Sequence, residues 1–275
     1  CKKRLFTEIL QNNSAVAINI DDDFGKRLFD EIKNKDLNIL TFGQSLDADI
    51  KISSIKQNNQ TIDLVLEYKN KIYNSTIGMI GKFQAYNIIA ATSICIALGM
   101  EPNSTFKSIS YLKPARGRME MLSASYNNSM IIIDYAHTPE ALNYVLNSIK
   151  EIAKGKMITL FGCGGDRDEK KRKIMGELAQ KFSDLVIVTD DNPRSESPSN
   201  IRKDILEGCP NAEEVPDRNK AIIYAISKLQ KNDFLLIAGK GHETFQTIGM
   251  ETLPFDDYTV AKETIKRIQK ARETH

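Results

Sequence analysis

The sequence has 275 residues, which suits one large domain or two ordinary ones. Hydrophobic residues make up 41% and charged residues 27%, the mix of a soluble globular chain rather than a disordered or membrane-embedded one. No apolar run approaches the roughly 18 residues a spanning helix needs, and no N-terminal stretch reads as a secretory signal. Lys and Arg number 38 against 36 Asp and Glu, a net charge of +2 that gives no electrostatic reason to expect nucleic acid as the main partner. Cys1, Cys95, Cys163 and Cys209 are too widely spaced for a zinc pattern or a CxxC pair. A cytoplasmic monomer is expected, without disulfides, membrane insertion or a nucleic-acid partner.

In chain order, Ala15–Ile20 is predicted as a buried strand, Phe24–Ile32 as a helix and Asn38–Phe42 as a second strand. Ile50–Ile55, Thr61–Tyr68 and Lys71–Ile77 alternate apolar and polar residues like a small antiparallel meander. Phe83–Leu98 is apolar enough for a buried helix, with Gly99 where a C-cap glycine belongs. The Pro/Gly-containing segment Lys113-Pro114-Ala115-Arg116-Gly117-Arg118 then marks a joint, giving predicted domains 1–115 and 116–275. Beyond it, strands Met130–Asp134, Met157–Phe161, Leu185–Thr189 and Phe234–Ala238 are continuous apolar runs, as expected where helices cover both faces of a sheet. Helices are predicted at Pro139–Ala153, Glu169–Phe182, Pro198–Glu207, Asn219–Gln230 and about Val260–Ala271. This alternation argues for an α/β fold, with a doubly wound, Rossmann-like, mostly parallel sheet in the second domain. Ligands bind such sheets at the carboxyl ends of the strands.

All four loops at that edge carry chemistry. They are Asp134-Tyr135-Ala136-His137-Thr138-Pro139, Gly162-Cys163-Gly164-Gly165-Asp166-Arg167-Asp168, Asp190-Asp191-Asn192-Pro193-Arg194 and Gly239-Lys240-Gly241-His242-Glu243. Any one of them suits a capped polar turn; four at one sheet edge point to a shared binding site. Gly162 and Gly164 fit the first two places of G-x-G-x-x-G, but the third falls on Arg167, too large for the close helix–strand packing that glycine allows. An arginine at a helix start suits a carboxylate or phosphate instead. Asp191, Asn192 and Arg194 on one short loop suit a zwitterion: aspartate pairs with an ammonium and arginine with a carboxylate in a two-pronged bond. Glu243 is a second ammonium partner. His137 and His242 are the histidines of these loops; a lone loop histidine is more often a hydrogen-bonded structural residue than a catalyst, and His137 suits either role.

These four loops, with Gly117-Arg118-Met119-Glu120 before them, form a set whose order and spacing resemble the Mur ligase family, and above all its tripeptide-forming branch. Upstream, Asn19-Ile20-Asp21-Asp22 resembles the family's Asn-x-Asp-Asp element. Gly81-Lys82-Phe83-Gln84-Ala85-Tyr86-Asn87 resembles its Gly-x-Phe-Asn-x-x-Asn helix start, with Gln84 in place of the commoner Asn. Nothing like the family's Gly-Thr-x-Gly-Lys-Thr phosphate loop, nor its uridine-nucleotide domain, occurs in the 275 residues. The resemblance therefore implies a fragment: the later part of an α/β central ATPase domain followed by the C-terminal amino-acid-binding domain, inactive alone. Cys1-Lys2-Lys3-Arg4-Leu5-Phe6 is similar to the Ala-Lys-x-x-Leu-Phe stretch past that loop, which matches Lys2 to the lysine the family carries as a carbamate. A carbamylated Lys2 is a catalytic oxygen ligand suited to Mg²⁺.

The activity implied is ATP-driven amide formation in peptidoglycan precursor synthesis. A carboxylate of the UDP-N-acetylmuramoyl dipeptide is phosphorylated, and the amine of meso-diaminopimelate attacks the acyl phosphate. By the resemblance, Asn87, Arg118, Asp134, Tyr135 and His137 meet ATP, with His137 also catalytic. Arg167, Asp191, Asn192, Arg194, Gly239 and Glu243 surround diaminopimelate. A lysine-adding ligase, another superfamily member such as a folylpolyglutamate synthase, and a non-catalytic ligase-derived binding domain are the alternatives. Arg194 favours diaminopimelate over lysine, because lysine lacks the second carboxylate and leaves the guanidinium unpaired.

Overall fold

Alternating strands and continuous apolar runs build two different sheets in the computed structural model, which describes residues 3–58, 60–122 and 127–273. Each sheet belongs to its own compact unit, the first spanning residues 1–113 and the second 114–275.

The first unit runs β1 (Ala15–Asn19), α1 (Asp23–Ile32), β2 (Asn38–Gly43), β3 (Ile50–Gln57), β4 (Ile62–Tyr68), β5 (Lys71–Ile77), α2 (Phe83–Ala97) and α3 (Pro102–Ser108). Its sheet has the order β1-β2-β3-β4-β5. The first two pairings are parallel, and β3, β4 and β5 form the antiparallel meander that their alternation predicts. α2 has too many apolar faces for a surface helix, and its Ala85, Ile88, Ile89 and Ile96 pack with Ile62, Leu64 and Leu66 of β4. α3 is unanticipated. Glu101 starts it by accepting from the Asn103 and Ser104 amides at 2.9 and 2.7 Å, with Pro102 at the first helical position.

The second unit runs β6 (Glu120–Met121), β7 (Met130–Asp134), α4 (Pro139–Lys150), β8 (Met157–Phe161), α5 (Lys170–Phe182), β9 (Leu185–Val188), α6 (Pro198–Leu206), β10 (Glu213–Glu214), α7 (Arg218–Lys228), β11 (Phe234–Ala238), β12 (Phe245–Ile248), β13 (Glu251–Pro254) and α8 (Asp257–Glu273). Its main sheet is ordered β10-β9-β8-β11-β7-β6 and is parallel except for β6. Alternate strand residues Ile131, Ile133, Ile158, Leu160, Leu235 and Ile237 pack with Ala221, Ile222, Ala225 and Ile226 of α7 and Ala261 and Ile265 of α8. Since successive side chains change face, the residues between them serve the other side of the sheet.

Helix ends differ from the sequence expectation by a few residues. α4 stops at Lys150 rather than Ala153, because the Ile152 and Ala153 amides both return to Ile149 O and tighten the last turn. α8 begins at Asp257, three residues early; the Asp257 carboxylate pairs with Arg218 at 2.7 Å, both side chains fully buried. The β12–β13 hairpin was not expected either; it turns at Gly249, whose φ is +60°. Among the described residues no helix is long and apolar enough to cross a membrane.

Candidate functional site

Parallel pairing brings the carboxyl ends of β7, β8, β9 and β11 level. Ala238 lies opposite Asp134, Ile237 opposite Leu160, and Phe161 opposite Val188. The loops that leave these ends enclose a cavity of about 580 Å³. Every loop contributes: Tyr135 and His137 from the first, Gly162, Cys163, Gly164 and Arg167 from the second, Asp191, Asn192 and Arg194 from the third, Gly239 and Glu243 from the fourth. Lys170 and Lys171 add the first turn of α5.

The second and third loops hold each other in place. Gly165 N donates to Asn192 O at 2.9 Å, and Arg194 Nη1 donates to Gly165 O at 2.8 Å. Ser195 donates its hydroxyl and amide to Asp166 at 2.7 and 3.2 Å, and these bonds, the hydroxyl's first, hold the Asp166 carboxyl below its ordinary range. Glu196 accepts from Asp166 N and from buried Arg172 at 2.9 and 2.7 Å. Arg194 itself has φ +52° and is tied to the hairpin: its amide donates to Thr247 O at 3.2 Å, and Gly249 N donates to its carbonyl at 2.7 Å. Arg167 is exposed, and its Nη1 donates to Asp166 O at 3.1 Å.

The fourth loop turns on two glycines. Gly239 has φ +112°, and a Cβ there would lie 2.7 Å from Asp191 Oδ2; Gly241 has φ +53° and would strike Tyr135. Between them Lys240 turns inward and is fully buried, 3.0 Å from Asn192 Oδ1 and 3.3 Å from Glu243 Oε2. Asn192 Nδ2 donates to the same Glu243 oxygen at 2.8 Å. Asp191 is buried, and among the described residues no hydrogen bond reaches its carboxylate.

At the first loop the Asp134 carboxylate is taken up by backbone, accepting from Met119 N at 2.7 Å and Ala136 N at 2.8 Å. Burial pushes its pKa up, and those two bonds with nearby Arg118 and His137 work against the rise. The Tyr135 ring lies 4.5 Å from that of His137 and 5.0 Å from that of His242, with the Arg118 guanidinium 5.0 Å from its centre. A carbonyl only accepts, so His137 Nδ1, 2.8 Å from Tyr135 O, is the donor of that bond. Arg118 and Asp134 adjoin this ring cluster but do not line the cavity.

In the first unit Asn87 is exposed in the second turn of α2 and donates to Gln84 Oε1 at 3.3 Å. Gln84, the departure from the family pattern, is buried and orients Asn87 from below. Asp21 is spent on the Gln44 and Ser45 amides and the Tyr86 hydroxyl, and Asp22 caps α1. Lys2 lies outside the described residues. Among the described residues no three acidic, cysteine or histidine side chains gather as a metal cage. Lys240 and Lys171, which donates to His137 O at 2.8 Å, were not singled out from the sequence. For Lys240 the signal was present: a lysine between two glycines at a buried strand end.

The family model for the Mur ligase middle domain matches residues 1–95, and that for the Mur ligase glutamate ligase domain matches residues 117–241. The UDP-N-acetylmuramoyl-L-alanyl-D-glutamate–2,6-diaminopimelate ligase of Fusobacterium nucleatum is 40% identical over 97% of this chain and 54% of its own length. The ligase of that name from Clostridioides difficile is 40% identical over 97% of this chain and 55% of its own. A solved structure of a ligase with this name superposes with a TM-score of 0.68 at 30% identity, covering 98% of this chain and 56% of that one. The chain spans about half the length of the curated relatives it matches.

Proposed function

We propose, since the chain belongs to the Mur ligase family, that it forms part of an ATP-dependent ligase joining meso-diaminopimelate to UDP-N-acetylmuramoyl-L-alanyl-D-glutamate. One observation carries the reading. Asp191 and Glu243 share a single cavity with Arg167 and Arg194. Carboxylates beside guanidiniums suit a ligand bearing both ammonium and carboxylate groups. Diaminopimelate carries two of each, and the names of the similar ligases agree with it.

In this reading the second unit, 114–275, receives the amino acid and the first, 1–113, derives from the ATP-binding domain. Asp191 and Glu243 accept from an ammonium, Arg194 and Arg167 grip carboxylates, and Gly239 keeps the strand end open to the ligand. Reaction needs the amine, freed of its ammonium proton, over the face of the acyl phosphate carbonyl: the C–N bond forms, the C–O bond to phosphate breaks, and phosphate and a second proton from nitrogen depart. Stapled loops supply that alignment, which is worth more here than any single proton-transfer group. The ring cluster of Arg118, Tyr135 and His137 in the second unit suits a purine nucleotide, offering aromatic faces and a cation. Taken by itself, Asn87 of the first unit is the proposed adenine-binding amide. Asp134 acts by fixing the turn that carries Arg118. Mg²⁺ in such enzymes is held chiefly by nucleotide phosphates with one or two carboxylates, and offsets their charge. Carbamylated Lys2 is the proposed protein ligand. The reaction belongs in the cytoplasm, where ATP is at hand.

The test is product formation by the full-length ligase supplied with ATP, the nucleotide dipeptide and either meso-diaminopimelate or lysine. Tripeptide with diaminopimelate and little with lysine is expected. Equal use of both, or of neither, overturns the reading.

A further inference from the structure

Lys240 has no exposed surface and does not line the cavity, so it meets no ligand there. A buried ammonium is costly unless paired and hydrogen-bonded. Its partners are Asn192 Oδ1 and Glu243 Oε2, with the Phe245 ring centre 5.9 Å away. Both polar partners do line the cavity. The arrangement leaves the Asn192 amide one orientation. Its oxygen accepts from Lys240 Nζ and from Thr247 N, each at 3.0 Å, while its nitrogen donates to Glu243. Turned over, the amide would set its NH₂ against an ammonium and an N–H, and its oxygen against a carboxylate. Glu243 is constrained as well: Lys240 and Asn192 occupy Oε2, and Oε1 has no partner among the described residues.

We propose that Lys240 is a positioning residue, setting the Asn192 amide and the Glu243 carboxylate for the ammonium of the incoming amino acid without touching it. The proposal rests on the reading of the cavity as the amino-acid site. Gly239 and Gly241 explain how a lysine reaches this place: their positive φ values turn the loop so that the side chain between them points inward.

The experiment is steady-state kinetics of the full-length ligase as wild type, Lys240→Met, Asn192→Ala and the double variant. Lys240→Met should raise KM for meso-diaminopimelate on the order of tenfold, the scale of one hydrogen bond to a charged group. KM for ATP and for the nucleotide dipeptide should stay put, and kcat should move less than the diaminopimelate KM. In the Asn192→Ala background the same substitution should add less than it does alone, since the two act together. An unchanged diaminopimelate KM, strictly additive losses, or all three KM values rising with a lowered unfolding temperature overturns the proposal. Should Lys240→Met not fold, Lys240→Gln, which removes the charge but keeps a polar tip, decides on the same terms. A wild-type enzyme that makes no diaminopimelate product fails at the earlier step, overturning the cavity reading and the positioning role with it.

Discussion

Arg194→Ala is the substitution that bears most directly on the choice of amino acid. Arg194 Nη1 is committed to Gly165 O at 2.8 Å, with Asn192 O at 3.4 Å. Nε and Nη2 have no partner among the described residues, so two N–H directions remain for a two-pronged bond to a carboxylate. Such a bond is worth about 1.5–3 kcal/mol, on the order of 10–100-fold in affinity. Arg194→Ala should weaken meso-diaminopimelate by that factor and leave lysine nearly unchanged. Arg194→Lys should recover only part, since an ammonium lacks the planar fork. The backbone supplies a control. Arg194 sits at φ +52°, where a residue with a Cβ pays about 1–2 kcal/mol that glycine avoids. Arg194→Gly should therefore bind diaminopimelate no better than Arg194→Ala yet unfold at an equal or higher temperature, which separates recognition from folding. The assay is KM for both amino acids in the full-length ligase, with thermal unfolding alongside. If Arg194→Ala weakens lysine and diaminopimelate equally, Arg194 grips a carboxylate common to both, and selectivity passes to Arg167.

The parts of the fold legible in the sequence are those where burial is one-sided or complete. Met130–Asp134, Met157–Phe161 and Phe234–Ala238 form strands with the expected bounds, because each apolar run stops where the chain must leave the core. The β12–β13 hairpin shows no such contrast: Phe245, Ile248 and Leu253 are all more than 40% exposed, so its apolar residues mark no buried face. β6 and β10 have two residues each, too few for any period. The loop chemistry was legible because glycines, carboxylates and arginines cluster at the strand ends. What each side chain does there was not. Arg172 reaches Glu196 across 24 residues, a tie that no local pattern encodes. Asp134 reads as a ligand carboxylate, yet two backbone amides claim it first. For Lys240 the two flanking glycines hint at an unusual turn, but only their positive φ values show that the side chain goes inward.

The 275-residue chain alone should not couple ATP hydrolysis to tripeptide formation, because it holds no Gly-Lys-Thr phosphate loop; product made by the purified chain would refute this. Residues 114–275, with their own sheet and core, should unfold as a single cooperative transition when produced alone, checked by urea titration followed by circular dichroism. At pH 8 iodoacetamide should label half-buried Cys95 well before Cys163 and Cys209, whose burial pushes their thiols up to about 12 and about 11; peptide mass spectrometry reads the order. Asp134→Asn should cost about 1–3 kcal/mol, since one amide oxygen cannot serve both the Met119 and Ala136 N–H groups and the NH₂ would face one of them. Its pH dependence follows from the raised native pKa of Asp134. Below the unfolded value of 3.8 both states hold the proton; as pH rises from there through the native value the unfolded chain releases it first, so this carboxyl's contribution to stability falls across that window. Asparagine does not titrate, so the stability gap between wild type and variant should narrow as pH rises through the window. A gap that widens instead would mean that the two backbone bonds outweigh burial and pull the Asp134 pKa down.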